Sequence, residues 1–389
     1  MSTGIDGISF YSSNYFIDLK TLAAARGVDP NKYYKGIGQE KMAIPPPDED
    51  IITMAASAAA PLVQKYDPDD FELLLFATES AIDQSKAGGI FVHRLLGLPA
   101  RCRVVELKQA CYGATVALQM ARAMVDTQPA KKVLVIGSDV ARYELGSPGE
   151  PTQGCGAVAM VVSRDARAMA LDAESGLYTE DVMDFWRPNY RDQAIVDGKY
   201  STRVYLNALT ETWKQYHVLT GRTIDDLFRC CYHLPFTRIA EKAHERLAKA
   251  NGKTLTGAQV DEQIGDTLRY NKISGNSYAA SLYVALTSLL DSSTVDLSGK
   301  RIGMFSYGSG CVGEFFSGVI QPGYREVLFA EGHRKLLDNR TELTYQQYED
   351  IYNLAFPTDG GDHTFTQYKT GPFRLAGVSQ HKRIYEKTS

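Results

Sequence analysis

An α/β fold in which one unit is written twice, with sheets layered around central helices, is what this sequence predicts. Three observations carry that reading. Short apolar runs bounded by glycine and polar residues recur as buried strands. Each half holds one helix that begins with small residues and is apolar nearly all round, the mark of a helix buried on every side. The order strand, helix, strand, strand is the same in both halves, by pattern rather than strict identity.

The first copy begins with FELLLFATES (71–80), a buried strand ending in polar residues. CYGATVALQMARAMVD (111–126) is its helix, and KKVLVIGSDV (131–140) and GCGAVAMVVS (154–163) are two further strands. The second copy begins with DLFRCCYHLPF (226–236), a strand with a polar and aromatic end. NSYAASLYVALTSLLD (276–291) is the matching helix, and KRIGMFSYGSG (300–310) and CVGEFFSGVI (311–320) are the closing strands. This divides the chain into halves 1–165 and 166–389. The stretch from about 176 to 225 is rich in Tyr, Arg and Asp without strong buried strands, and reads as an insertion capping the site. AIPPPDEDI (43–51) reads as an exposed Pro-rich turn before a helix. In the C-terminal extension, TELTYQQYEDIYN (341–353) reads as a surface helix, 357–372 as a loop and FRLAGVSQHKRIYEK (373–387) as a last strand.

Composition narrows the class. The 389 residues are 44% hydrophobic and 23% charged, enough for a large core without staples. The net charge of −4 and the lack of a basic run argue against nucleic acid as the main partner. The N-terminus has no basic start followed by an apolar stretch, so a secretory signal is not expected. Nowhere do about 18 apolar residues run together, so no membrane helix is expected. Six scattered cysteines without a C-x-x-C read as reduced thiols and point to the cytoplasm.

The repeat aligns four residues that carry chemistry. Cys111 and Asn276 each open a helix, and Glu79 and His233 each end a buried strand. Ligands of α/β proteins gather at the carboxyl ends of strands, so the four converge on one place. A thiol at a helix N-terminus is expected to have its pKa lowered, and the thiolate is the nucleophile. Gly113 and Ala114 after it leave room for a substrate. A carboxyl such as Glu79 near a buried cleft is raised by desolvation toward the range of a neutral-pH acid/base. His233, neutral or protonated, would tune the thiol. Plainer readings stand beside these: Cys111 as a small buried hydrophobe, Glu79 as a solvated strand-end charge, His233 as a hydrogen-bonded core histidine. His233 with His244 makes a poor metal pair, since no third ligand has suitable spacing, and no metal is expected. GSGCVG (308–313) matches a dinucleotide fingerprint, yet the following EFFSGVIQPG reads as a strand, not the required helix. A strand–strand turn whose N–H groups face the site, with that of Cys111 forming an oxyanion hole, is the better reading.

ACYGAT, GEPTQGCGAVAM, DFWRP, VDGKYS, YHLPFTR, GNSYAASLY, FSYGSG and QHKRIY together resemble the 3-hydroxy-3-methylglutaryl-CoA synthases in their shorter bacterial form, over nearly the whole chain. The resemblance implies the thiolase fold, a five-layered αβαβα body usually found as a homodimer, and a role in the mevalonate pathway. It implies acetyl-CoA and acetoacetyl-CoA as substrates, with no separate cofactor. By the same resemblance Cys111 is acetylated, Glu79 is the acid/base, and His233 holds the acetoacetyl carbonyl. Asn276 and Ser309 supply polar contacts, with the Ser309 N–H in the oxyanion hole. Tyr143, Asp184 and Phe185 line the acyl cavity with Thr152 near it, and Arg238 and Lys242 stand near the CoA phosphates. Many relatives carry Lys at the position of Arg238, which keeps the charge and changes the geometry. Cys155 and Cys311 depart from the usual pattern and read as small packing residues. Alternatives share the scaffold: a carrier-protein-dependent β-branching synthase of polyketide assembly, a thiolase or ketoacyl synthase, and a non-catalytic acyl-CoA-binding protein. Glu79 argues against the second, and the intact trio Cys111, Glu79 and His233 against the third.

Overall fold

The computed structural model describes residues 2–388. The first copy comprises β1 (Gly4–Tyr11), α1 (Ile51–Val63), β2 (Phe71–Ala77), β3 (Arg103–Leu107), α2 (Gly113–Thr127), β4 (Lys132–Ala141) and β5 (Gly154–Ser163). The second comprises β6 (Met169–Leu171), β7 (Gly176–Thr179), α3 (Gly198–Thr220), β8 (Arg229–Tyr232), α4 (Arg238–Ala250), α5 (Gly257–Ser274), α6 (Ser281–Ser292), β9 (Arg301–Gly308) and β10 (Val312–Ile320). The tail adds α7 (Ala330–Asp338), α8 (Tyr345–Asn353), β11 (Phe373–Ser379) and β12 (Lys382–Lys387).

Strand pairing displays the duplication. In the first copy β2 and β4 are parallel, β4 and β5 antiparallel, and β5 and β1 antiparallel. In the second, β8 and β9 are parallel, β9 and β10 antiparallel, and β10 and β6 antiparallel. The copies join where β1 pairs with β6, making one ten-stranded sheet with β3 at an outer edge. The central strands are continuous apolar runs because both their faces are covered. Val133 and Val135 of β4, with Val158 and Met160 of β5, pack with α2 and α6. Their neighbours Leu134, Ile136, Ala157 and Ala159 pack with α1 on the opposite face. β1 escapes the sequence pattern because Asp6, Gly7 and Ser9 interrupt its apolar residues, yet all of it is buried.

Several sequence expectations need correction. α6 is buried almost throughout, but α2 is not. Gln119, Arg122 and Asp126 form a polar stripe at helical spacing, and Met120 is half exposed. The first copy's all-round buried helix is instead α1, started by an Asp50–Thr53 capping box. The Pro-rich turn is not exposed: Ala43, Ile44, Asp48 and Glu49 are buried. Arg374 reaches the Asp48 carboxylate, and Asp50 accepts from Arg383 and Tyr385 of the tail.

The stretch 176–225 covers the site with its middle, from Phe185 to Tyr205, which includes the first turns of α3. Its second half is α3, whose Tyr205, Leu209, Trp213 and Tyr216 bury one helical face in the second copy's core. The last strand is two strands, since Gln380 and His381 both take positive φ and turn β11 back into β12. That hairpin packs on α1, so the tail belongs spatially to the first copy.

A Ser–His–Asp alignment is a structural brace. His333 Nδ1 lies 2.7 Å from the Asp291 carboxylate, and Ser9 Oγ lies 3.3 Å from Nε2. The Phe10 N–H donates to that same Nε2 at 3.0 Å, so it cannot serve as a base for Ser9.

Candidate active site

A cavity of about 430 Å³ opens between the copies, lined by Cys111, Tyr143, Thr152, Phe185, His233, Asn276 and Ser309 among others. The backbones meet tightly around it. A side chain at Gly154 would collide with Ser274 O at 2.3 Å, and one at Gly308 with Gln109 O at 2.5 Å. Glycine at these positions lets the loop before Cys111 touch the β9–β10 turn, and the loop after Thr152 touch that before Asn276.

Cys111 does not open α2. It stands two residues before Gly113, after Ala110 at φ 44°, in the loop that leaves β3. Its Sγ lies 3.4 Å from Glu79 Oε2. The expected lowering of its pKa is overturned: burial, then the Glu79 and Asp139 carboxylates, push the thiol well above its ordinary range. Desolvation and two negative neighbours outweigh the helix end. Burial, then Asp139, also raises Glu79, to about 8. Near neutrality both groups therefore mostly hold their protons, and the thiol ionises by passing its proton to Glu79 once that carboxyl has lost its own.

Glu79 is held by its backbone. Its N–H donates to Asp139 at 2.9 Å, and Arg187 donates to its carbonyl. Asp139 is fully buried and also accepts from Thr78, Ser80 and the Ala279 N–H of the second copy. Burial raises its pKa to about 6 despite these donors. Sequence reasoning missed Asp139, although a lone carboxylate ending an apolar strand is the signal that singled out Glu79.

From the second copy, His233 follows β8. Burial lowers its pKa to about 3, so the ring is neutral. Its Nδ1 and the Nδ2 of Asn276 are buried without a protein partner, whereas Asn276 Oδ1 accepts from Tyr278 N–H at 2.9 Å. Unpaired buried polar atoms of this kind mark places where a substrate's polar groups fit. Tyr278, also missed, lines the cavity at φ 41° with an unpartnered hydroxyl and an edge contact to Phe185. Phe185 in turn meets the edge of Tyr143.

Four expected residues are not part of the cavity lining: Glu79, which reaches the site through its contact with Cys111, and Asp184, Arg238 and Lys242. Asp184 is fully buried behind the cavity, accepting from Tyr307 OH, Ser201 Oγ and the Gly310 N–H. It braces the glycine turn instead of lining the acyl space. Arg238 pairs with Glu241 at 2.5 Å on the surface, and Lys242 is exposed. Ile239 between them does line the cavity. Thr152 lines it while donating to Gly149 O at 2.8 Å. Cys155 and Cys311 are buried, and all six cysteines are unbridged. His244 bonds Tyr232 and Gln263, and among the described residues no group of side chains is placed to hold a metal. No described helix is long and apolar enough to cross a membrane.

The arrangement joins a thiol, a contacting carboxyl of raised pKa, a neutral imidazole and free amide donors around a mostly apolar cavity. The family model for the N-terminal part of hydroxymethylglutaryl-coenzyme A synthase matches residues 1–167, and that for its C-terminal part matches 169–254 and 248–356. A hydroxymethylglutaryl-CoA synthase of Enterococcus faecalis is 42% identical over 92% of this chain and 94% of its own length. The polyketide 3-hydroxy-3-methylglutaryl-ACP synthase PksG of Bacillus subtilis is 34% identical over 90% of this chain and 88% of its own. A crystal structure of an HMG-CoA synthase complexed with CoA superposes with a TM-score of 0.95 at 40% identity, covering all of both chains. The chain belongs to the hydroxymethylglutaryl-CoA synthase family.

Proposed function

We propose that the protein condenses acetyl-CoA with acetoacetyl-CoA to 3-hydroxy-3-methylglutaryl-CoA through an acetyl-Cys111 intermediate. The observation that carries this reading is Cys111 of the first copy, in contact with Glu79, set in one cavity with His233 and Asn276 of the second, whose Nδ1 and Nδ2 have no protein partner. The Glu79 carboxylate takes the thiol proton as Sγ attacks the acetyl carbonyl and returns it to the departing sulfur, so that CoA leaves as its thiol and Glu79 is again ionised. Glu79 then removes a proton from the acetyl methyl group, while backbone N–H groups at Cys111 and Ser309 stabilise the enolate oxygen. The enolate carbon attacks the ketone of acetoacetyl-CoA. Neutral His233 polarises that ketone by hydrogen bonding, and the proton that Glu79 took from the methyl group ends on the new hydroxyl, which leaves the imidazole neutral and Glu79 ionised. Water hydrolyses the Cys111 thioester and frees the product carboxylate and the thiol.

Tyr143, Phe185 and Thr152 shape the acyl space, Asn276 orients the carbonyl, and Asp184 steadies the turn carrying Ser309. Arg238 and Lys242 meet the CoA phosphates from outside. The same reading takes the chain as a cytoplasmic enzyme of the mevalonate pathway with a five-layered αβαβα body. It also takes the chain as a homodimer, supported by the unpaired outer edge of β3 with Val105 exposed on it. Light scattering of the eluted protein at a single-chain mass would overturn the dimer.

The deciding experiment mixes pure protein with both thioesters, without carrier protein, and identifies products by mass spectrometry. 3-Hydroxy-3-methylglutaryl-CoA with free CoA is the expected result. Cleavage of acetoacetyl-CoA to acetyl-CoA would make the protein a thiolase. Turnover only with carrier-bound acyl groups would make it a β-branching synthase.

A further inference from the structure

Tyr143 is gripped at both ends of its residue by the tail. Tyr352 of α8 donates its hydroxyl to the Tyr143 carbonyl at 2.6 Å. The Tyr143 N–H donates to Gln153 Oε1 at 2.8 Å, and Gln153 Nε2 donates to the hydroxyl of Tyr348, one helical turn from Tyr352, at 2.8 Å. The Tyr348 hydroxyl donates in turn to the Glu150 carboxylate at 3.1 Å. Glu150 is itself clamped by both nitrogens of the Arg26 fork at 2.8 and 2.6 Å, and accepts the Gly146 N–H. Tyr348, Glu150 and Gln153 are buried. The segment so fastened, residues 143–152, supplies one wall of the cavity through Tyr143, Ser147, Gly149 and Thr152. Gly149 lies flat on the Tyr143 ring, where a side chain would come within 2.7 Å.

We propose that α8, on the outer surface, is a working part of the acyl pocket: Tyr352 and Tyr348 are positioning residues that set the Tyr143 wall. This rests on the proposed role of Tyr143. A wall held at one place excludes water from the acetyl-Cys111 thioester until the second substrate arrives. A loosened wall admits water, so the acetyl group is hydrolysed instead of condensed. The prediction concerns the partition between these fates, which a general loss of stability would not change.

The test compares Tyr352→Phe and Tyr348→Phe with Tyr345→Phe, whose hydroxyl on the same helix donates to Glu349 and makes no bond to Tyr143, Gln153 or Glu150. Two quantities are read: amide exchange across 143–153, and the ratio of acetyl-CoA hydrolysis to condensation. Tyr352→Phe should speed exchange and raise the ratio about fivefold, the effect of one hydrogen bond, with Tyr345→Phe unchanged. Tyr348→Phe should do the same through Gln153. Faster exchange with an unchanged ratio would overturn the proposal, as would unchanged exchange. Wild-type protein inert with both thioesters would instead defeat the proposed function, while the exchange measurement would still report on the hold.

Discussion

The two copies of the repeat put different chemistry at the same points of one scaffold. After β2 stands Glu79, and after β8 stands His233; before α2 stands Cys111, and before α6 stands Asn276. Burial drives both strand-end groups toward their neutral forms, and it therefore moves their pKa values in opposite directions, to about 8 for Glu79 and about 3 for His233. The first copy adds a second carboxylate, Asp139, which reinforces the rise. The approach to the helix differs too. Strand β3 leads into Cys111, whereas helix α5 leads into Asn276. A duplicated scaffold thus yields a nucleophile with its base on one side and a carbonyl-binding pair on the other.

The comparison breaks most completely at Cys111. Cys111→Ala should abolish acetyl-enzyme and lower condensation by about a thousandfold or more, read by intact mass and product formation. Acetyl-enzyme in that variant would remove the first copy's role. Glu79→Gln should lower condensation by about a hundredfold or more while the enzyme still becomes acetylated, if slowly. Full condensation by this variant would reassign the base.

Next comes pH. Condensation should rise through neutrality with a midpoint near 8, as Glu79 gives up its proton. Stability should move in opposite senses at the two groups. Glu79 binds its proton more tightly folded than unfolded, so it lowers stability as pH rises from its ordinary 4.5 to about 8. His233 binds its proton less tightly folded, so it lowers stability as pH falls from its ordinary 6.5 toward about 3. Melting curves should accordingly favour Glu79→Gln over wild type at pH values above 8, and His233→Gln over wild type only in acid. The same sign for both variants would show that burial is not the common cause. The smallest effect is expected at the surface. Arg238→Ala and Lys242→Ala should raise the KM for acetyl-CoA about two- to fivefold each, fading with added salt, because exposed charges act through screened water.

Much of this was legible because it depends on local pattern. The eight repeat segments all appear as strands or helices where the apolar runs place them, and Glu79 and His233 stand just past strand ends as the repeat aligns them, with Cys111 two residues ahead of its helix. The misreadings share one cause. A Pro-rich acidic turn looks exposed until a tail more than 300 residues later covers it with Arg374 and Arg383. β1 is not singled out by its own pattern, because Asp6, Gly7 and Ser9 interrupt it and only its neighbours in the sheet bury it. Asp139 is missed because its worth lies in donors from both copies, and Asp184, assigned to the lining by the resemblance, turns instead to donors on Tyr307, Ser201 and Gly310 that lie far from it in sequence.

The sequence by itself determined the duplicated α/β plan, the family and the four residues that the two copies offer, since these follow from periodicity and motif, which are local. Only the tertiary structure decided the state of those residues. Whether a thiol beside a helix is acidic or not depends on how deeply it is buried and on which carboxylates stand near it. Electrostatics in a low-dielectric site is a sum over neighbours from both copies, and no single stretch of chain contains that sum.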